Sequence, residues 1–189
     1  MVSLLKEAGI KANYVLIKAG GHVSKGLWED FPAPYFNHAV ACVPNGKDTI
    51  WLECTSQTEA AGFMGSFTGD RKALLIADDG GHVVNTPSYT SNDNLQLRKI
   101  NASIDETGNL ISDVNTHFTG IQQELQHSLI HDASKEFRTK YLNSVINLPT
   151  YNVDKYDYKE QPGIIPAVDE YLHITSPGYA TVSGKRLFV

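Results

Sequence analysis

Residues 36–56 constrain the fold more than any other stretch. Two apolar-rich runs, Phe36-Asn37-His38-Ala39-Val40-Ala41-Cys42-Val43-Pro44 and Thr49-Ile50-Trp51-Leu52-Glu53-Cys54-Thr55-Ser56, flank Asn45-Gly46. Asn-Gly is the strongest short hairpin signal, because a type I′ turn needs positive φ at both central residues. With Asn45-Gly46 as a two-residue loop, His38 lies directly opposite Glu53, and Val40 opposite Trp51. Opposed Cβ atoms stand about 4.5–5.5 Å apart, so an imidazole N–H reaches the carboxylate. A register change of one residue would set His38 against Cys54 and turn Glu53 to the other face.

A carboxylate on one ring nitrogen fixes the imidazole tautomer and leaves the other nitrogen as a base. Such a base can activate a cysteine or serine nucleophile. A cross-strand His–Glu bond that only stabilises a sheet is the commoner use of these residue types. The two cysteines, Cys42 and Cys54, both fall on this hairpin. They are not opposed and point to opposite faces, so two free thiols are expected.

The chain has 189 residues, enough for one or two domains, with a net charge of −5. The charge is spread rather than blocked, and no basic stripe exists to neutralise phosphates, which argues against nucleic acid as a partner. No apolar run approaches the roughly 18 residues of a membrane span. The opening residues read as a helix and not as a signal peptide.

Along the chain, residues 1–9 read as the end of a helix stopped by Gly9. A strand follows over 11–19 and a loop over 20–34, which contains Gly20-Gly21-His22 and Trp28. After the hairpin, the Gly-, Ser- and Thr-rich residues 57–70 are expected to wrap the site. A strand covers 72–77, and 80–94 reads as an inter-domain linker. The second half begins with two long strands, 95–105 and 110–120, around Asp105-Glu106-Thr107-Gly108-Asn109. On the second, Leu110, Ser112, Val114, Thr116 and Phe118 share a face. Helices are expected from about 122 and from Ser134, a natural N-cap. Strands return at 151–159 and 168–175. On the first of these, Tyr151, Val153, Lys155 and Asp157 take one side and Asp154, Tyr156 and Tyr158 the other. The fold class is therefore α+β in two parts, 1–90 and 95–189. Both ends read as though entered inside elements, so the fold is expected to be completed by adjoining segments or by a homo-oligomer formed through the open edges.

Leu4-Leu5-Lys6-Glu7-Ala8-Gly9-Ile10-Lys11-Ala12, Asn37-His38-Ala39-Val40 and Trp51-Leu52-Glu53-Cys54-Thr55-Ser56 resemble the transglutaminase-like superfamily of papain-related thiol enzymes. Phe67-Thr68-Gly69-Asp70-Arg71 and Ala73-Leu74-Leu75-Ile76 fit the same core. Residues 95–189, ending Thr181-Val182-Ser183-Gly184-Lys185-Arg186-Leu187-Phe188, are similar to the β-rich, sandwich-like domain of uncharacterised function that follows this core in bacterial multidomain proteins. The resemblance implies that residues 1–90 are the C-terminal part of a transglutaminase-like core and that 95–189 are that following domain, with a helical insertion. It also implies a nucleophilic cysteine at the start of the helix, several residues before Met1, a base at His38 and an orienting carboxylate at Glu53, where the superfamily most often has Asp. Cys42 cannot substitute, being four residues along the same strand from His38, roughly 13 Å away; Cys54 points away. The activity implied is thiol acyl transfer or amide or peptide hydrolysis on a protein or peptide, in an extracytoplasmic setting. The chain alone lacks the reactive atom. The alternative is a non-catalytic binding or scaffold module of a secreted bacterial protein.

Trp28 and Trp51 are expected to belong to the core or to the walls of a cleft; Trp51 shares the face of His38, and with Asn37 beside the histidine it is a candidate to line a substrate groove. No cofactor or metal is expected. Gly20-Gly21-His22 and Gly80-Gly81-His82 read as turns without a partner at ligand spacing. His127 and His131 have a zinc-compatible spacing of four on a helix, but Ser128-Leu129-Ile130 follow His127 where a His-Glu-x-x-His pattern needs Glu, so they read as surface residues. Tyr151, Tyr156 and Tyr158 read as cross-strand packing.

Overall fold

The computed structural model describes residues 1–20 and 35–189. Gly21, His22 and Trp28 therefore lie outside the described residues. The chain divides into two compact units, one of residues 1–93 with 162–165, the other of residues 94–161 and 166–189. The architecture mixes helices with mostly antiparallel sheets.

In the first unit, α1 (Val2–Glu7) leads into a five-stranded antiparallel sheet of order β3-β2-β1-β4-β5. The strands are β1 (Asn13–Ile17), β2 (His38–Asn45), β3 (Asp48–Leu52), β4 (Lys72–Ala77) and β5 (Gly80–Asn85). Gly9, at φ 75°, ends α1 in a Schellman arrangement, its N–H bonded to the carbonyl of Lys6 and that of Ile10 to Leu5. This reverses the chain into β1. One sheet face carries the main core of Val15, Ile17, Val40, Cys42, Trp51, Met64 and Ala73. The other face carries Ala12 and Ala41, covered by Val2 and Leu5 of α1.

The hairpin differs from expectation by two residues. Asn45 pairs with Asp48 and Cys42 with Trp51, so Gly46-Lys47 is the loop. Gly46 has φ 64° while Lys47 has negative φ, the sign pattern of a type II′ turn. A glycine at the first loop position satisfies this turn alone, so Asn45 stays in the strand. Residues 80–94 also differ: Gly80–Asn85 is not a linker but an edge strand paired to β4. It buries almost nothing, with only Val84 half-buried, which is why its polar, glycine-rich sequence shows no alternation.

The second unit holds a four-stranded antiparallel sheet, β6-β7-β9-β8, and a separate hairpin, β10-β11. Its strands are β6 (Gln96–Ile104), β7 (Leu110–Thr119), β8 (Asn152–Gln161), β9 (Ala167–Ser176), β10 (Thr181–Ser183) and β11 (Arg186–Phe188). Between β7 and β8 come a 3-10 turn (Gly120–Gln123), α3 (Glu124–His131) and α4 (Lys135–Leu142). Ser112, Val114, Thr116 and Phe118 are buried on one face of β7, as their alternation requires. Ser134 caps α4 by accepting the N–H of Phe137 at 3.1 Å. Leu142, with Tyr141, Ile146 and Leu148, packs on Val114, Leu172 and Ile174. Where a sandwich would place a second sheet over this face, the described residues place helical and loop segments. A bulge between Val153 and Lys155 breaks the expected alternation of β8. Val153, Tyr156 and Tyr158 therefore come to one face, opposite Ile174, Leu172 and Glu170.

Candidate active site

His38 opens β2 opposite Ile17 of β1, on the face of the main core. Glu53 follows the last residue of β3. Continued one step, the register sets Glu53 beside Val40, two residues from His38. The pair is thus diagonal and on one face, because a two-residue shift preserves sides. His38 Nε2 lies 2.9 Å from Oε2 and 3.1 Å from Oε1 of Glu53. The two side chains are 14% and 8% exposed. Thr55 holds the same carboxylate, donating its N–H at 3.1 Å and its hydroxyl at 2.6 Å to Oε1. Burial alone would raise the Glu53 pKa, but the bonds from Thr55 and His38 outweigh it and hold the carboxyl below its ordinary value. The imidazole therefore sits on a fixed anion. Its Nδ1 has no hydrogen-bond partner among the described residues.

Residues 57–70 supply the neighbouring wall. Within them α2 (Gly65–Thr68) places Phe67 edge-on to the His38 ring, with centroids 5.2 Å apart. Arg71 ties this turn to the end of β1, donating to the carbonyls of Ser66 at 2.8 Å and Lys18 at 3.0 Å. The hydroxyl of Tyr89 accepts the N–H of Met64 at 2.8 Å.

Trp51 is 8% exposed within the main core. The Asn37 side chain is committed to backbone, accepting from the Ala19 N–H at 2.7 Å and donating to the Ala19 carbonyl at 3.1 Å. It clamps the start of β2 to the end of β1 and so fixes the height of His38. Cys42 is buried and Cys54 exposed, and both are free thiols. Burial raises the pKa of each, the reverse of an activated nucleophile.

Further polar groups lie outside the hairpin site. The carboxylate of Glu160, on β8, meets both His127 and His131 of α3. The partner is 29 residues or more away along the chain, so spacing alone could not reveal it. His82, expected in a loop, sits on β5 and bonds Asp79 at 2.8 Å. A cleft of about 750 Å³ is lined by Arg98, Val114, Gln126, Tyr141, Glu170 and Leu172, among others. Burial raises the pKa of Glu170 there.

No protein-family description, curated protein or solved structure matches this chain. Among the described residues no helix is long and apolar enough to cross a membrane.

Proposed function

We propose that the first unit carries the base half of a thiol acyl-transferase or amide hydrolase of transglutaminase-like type. The observation that carries the reading is His38, with Nε2 seated on Glu53 and Nδ1 left to a proton. In this reaction Nδ1 takes the proton of a cysteine thiol, and the thiolate attacks the carbonyl carbon of an amide. The imidazolium then returns the proton to the leaving amine, and water or a second amine releases the acyl group. Glu53 keeps the ring in one tautomer and stabilises its cation.

The nucleophile in this reading precedes Met1 in the parent protein, on the continuation of α1. Val2 and Leu5 of α1 pack with Ala12 and Ala41, on the sheet face away from His38, so in this reading the cysteine reaches the imidazole round the end of the sheet. The same resemblance carries the extracytoplasmic setting and a protein or peptide substrate.

The test is the parent protein with its preceding segment, assayed for amine incorporation into, and ammonia or peptide release from, a protein substrate. The expected result is a cysteine at the helix start whose substitution abolishes turnover. His38→Ala should lower kcat/KM by about 10²–10⁴-fold. Ser, Ala or Gly at that position leaves the non-catalytic module as the function, and full activity in the His38→Ala protein removes His38 from the chemistry.

A further inference from the structure

His127 and His131 lie four residues apart on α3 and so share one helix face. Their ring centroids are 4.5 Å apart. Glu160 reaches them from β8, where it is paired opposite the buried Val168. Its Oε1 is 2.8 Å from His127 Nδ1, and its Oε2 is 3.0 Å from His131 Nε2. One ligand atom from each of the three residues lies within 4.8 Å of the other two.

Zinc takes four tetrahedral ligands with bonds of about 2.0–2.2 Å to imidazole and carboxylate, so neighbouring donors stand roughly 3.3–3.5 Å apart. The two carboxylate–imidazole contacts, 2.8 and 3.0 Å, are a few tenths of an ångström shorter, as hydrogen bonds are. Zinc spacing asks the carboxylate to back away slightly from the two rings and the widest pair of ligand atoms, within 4.8 Å, to close toward tetrahedral separation. Two imidazoles with one carboxylate suit zinc and its transition-metal neighbours, whereas calcium and magnesium prefer all-oxygen shells. The buried His127 and the strand-fixed Glu160 make the set more than three surface groups that happen to meet.

We propose that His127, His131 and Glu160 form a binding site for a divalent transition cation, zinc in particular, which clips α3 to β8. Three protein ligands leave the fourth position to water. The site lies wholly in the second unit and does not depend on the acyl-transfer reading.

The test is titration of the chelator-treated full chain with Co²⁺, read by visible absorption, followed by displacement with Zn²⁺. One equivalent should give a tetrahedral d–d band that Zn²⁺ removes. At a hundredfold excess over Kd, Zn²⁺ should raise the melting temperature by roughly 5–10 °C. His131→Gln and Glu160→Gln should each abolish the band and the shift. His117→Gln and His173→Gln, on the opposite sheet face, should keep both. Circular dichroism and metal-free melting identify any variant that is unfolded, and the other variant then decides. No saturable band in the unaltered chain overturns the proposal. So does a band that persists in either folded site variant, or one lost with His117→Gln or His173→Gln.

Discussion

The choice of Glu rather than Asp at position 53 has a geometric reason. A diagonal cross-strand neighbour stands about 7–8 Å away, beyond the reach of a short side chain and within that of a long one. The extra methylene of Glu53 spans this gap, and Thr55 holds the carboxylate at its end. Glu53→Asp should therefore behave like Glu53→Ala and not like a conservative change. Nitrogen-15 spectra of the His38 ring check this. In the unaltered chain at neutral pH the proton should reside on Nε2; in either variant the two tautomers should mix. A single Nε2–H tautomer retained in Glu53→Asp would refute the argument. The thiols give a second test at this scale. Cys54 should react with a disulfide reagent in the native protein, and Cys42, 3% exposed, only on unfolding.

The turns separate two ways in which a glycine can matter. Gly46 has φ 64° and open space around a hypothetical Cβ, so Gly46→Ala should cost only the backbone term, about 1–2 kcal/mol. Gly108 has φ 86°, and an added Cβ would lie 2.2 Å from the carbonyl oxygen of Ala180. Gly108→Ala must also break the Ala180 N–H bond to the Gly108 carbonyl or move that segment, so its cost should be clearly larger. Urea denaturation of both variants measures the difference. The same elements show what was legible beforehand. β7 could be read from its alternation because it buries Ser112, Val114, Thr116 and Phe118 against helices. The His38–Glu53 side-sharing was legible because it depends only on parity, although the turn type and the register were not. β5 was hidden because an exposed edge strand has no hydrophobic period. The alternation of β8 failed at Asp154, since a bulge leaves no mark in composition. Glu160 was invisible as a partner because its contacts are made by tertiary folding.

Across both units, all six histidines of the described residues bond an aspartate or glutamate. The partners Glu53, Asp79, Asp113, Glu160 and Asp169 all have carboxyl pKa values below their ordinary range, through these bonds and, for Glu53, Asp113 and Asp169, through bonds from Thr55, Tyr171 and Gln161 as well. Asp105, bonded by Thr107 and Asn109, falls to about 2. A depressed folded pKa contributes stability that is complete above the unfolded value near 4 and is lost as pH falls through the folded value. The urea midpoint should thus be flat with respect to these groups above about pH 5 and fall steeply between pH 4 and 2. Glu53→Gln should flatten that fall while lowering the plateau. A midpoint that rises between pH 4 and 2 would contradict this charge arrangement; the buried Glu170, whose carboxyl is raised, acts in the opposite sense at higher pH. The diagonal placement of His38 and Glu53 also sets a rule for how such a hairpin can vary. Slides by even steps leave the histidine and the carboxylate on one side of the sheet and change only the length of side chain needed to join them. An odd slide separates them at once. A turn remodelled in pairs of residues would therefore keep the pair joined, with glutamate serving the diagonal placement and aspartate the facing one, while a single-residue change of register would break it.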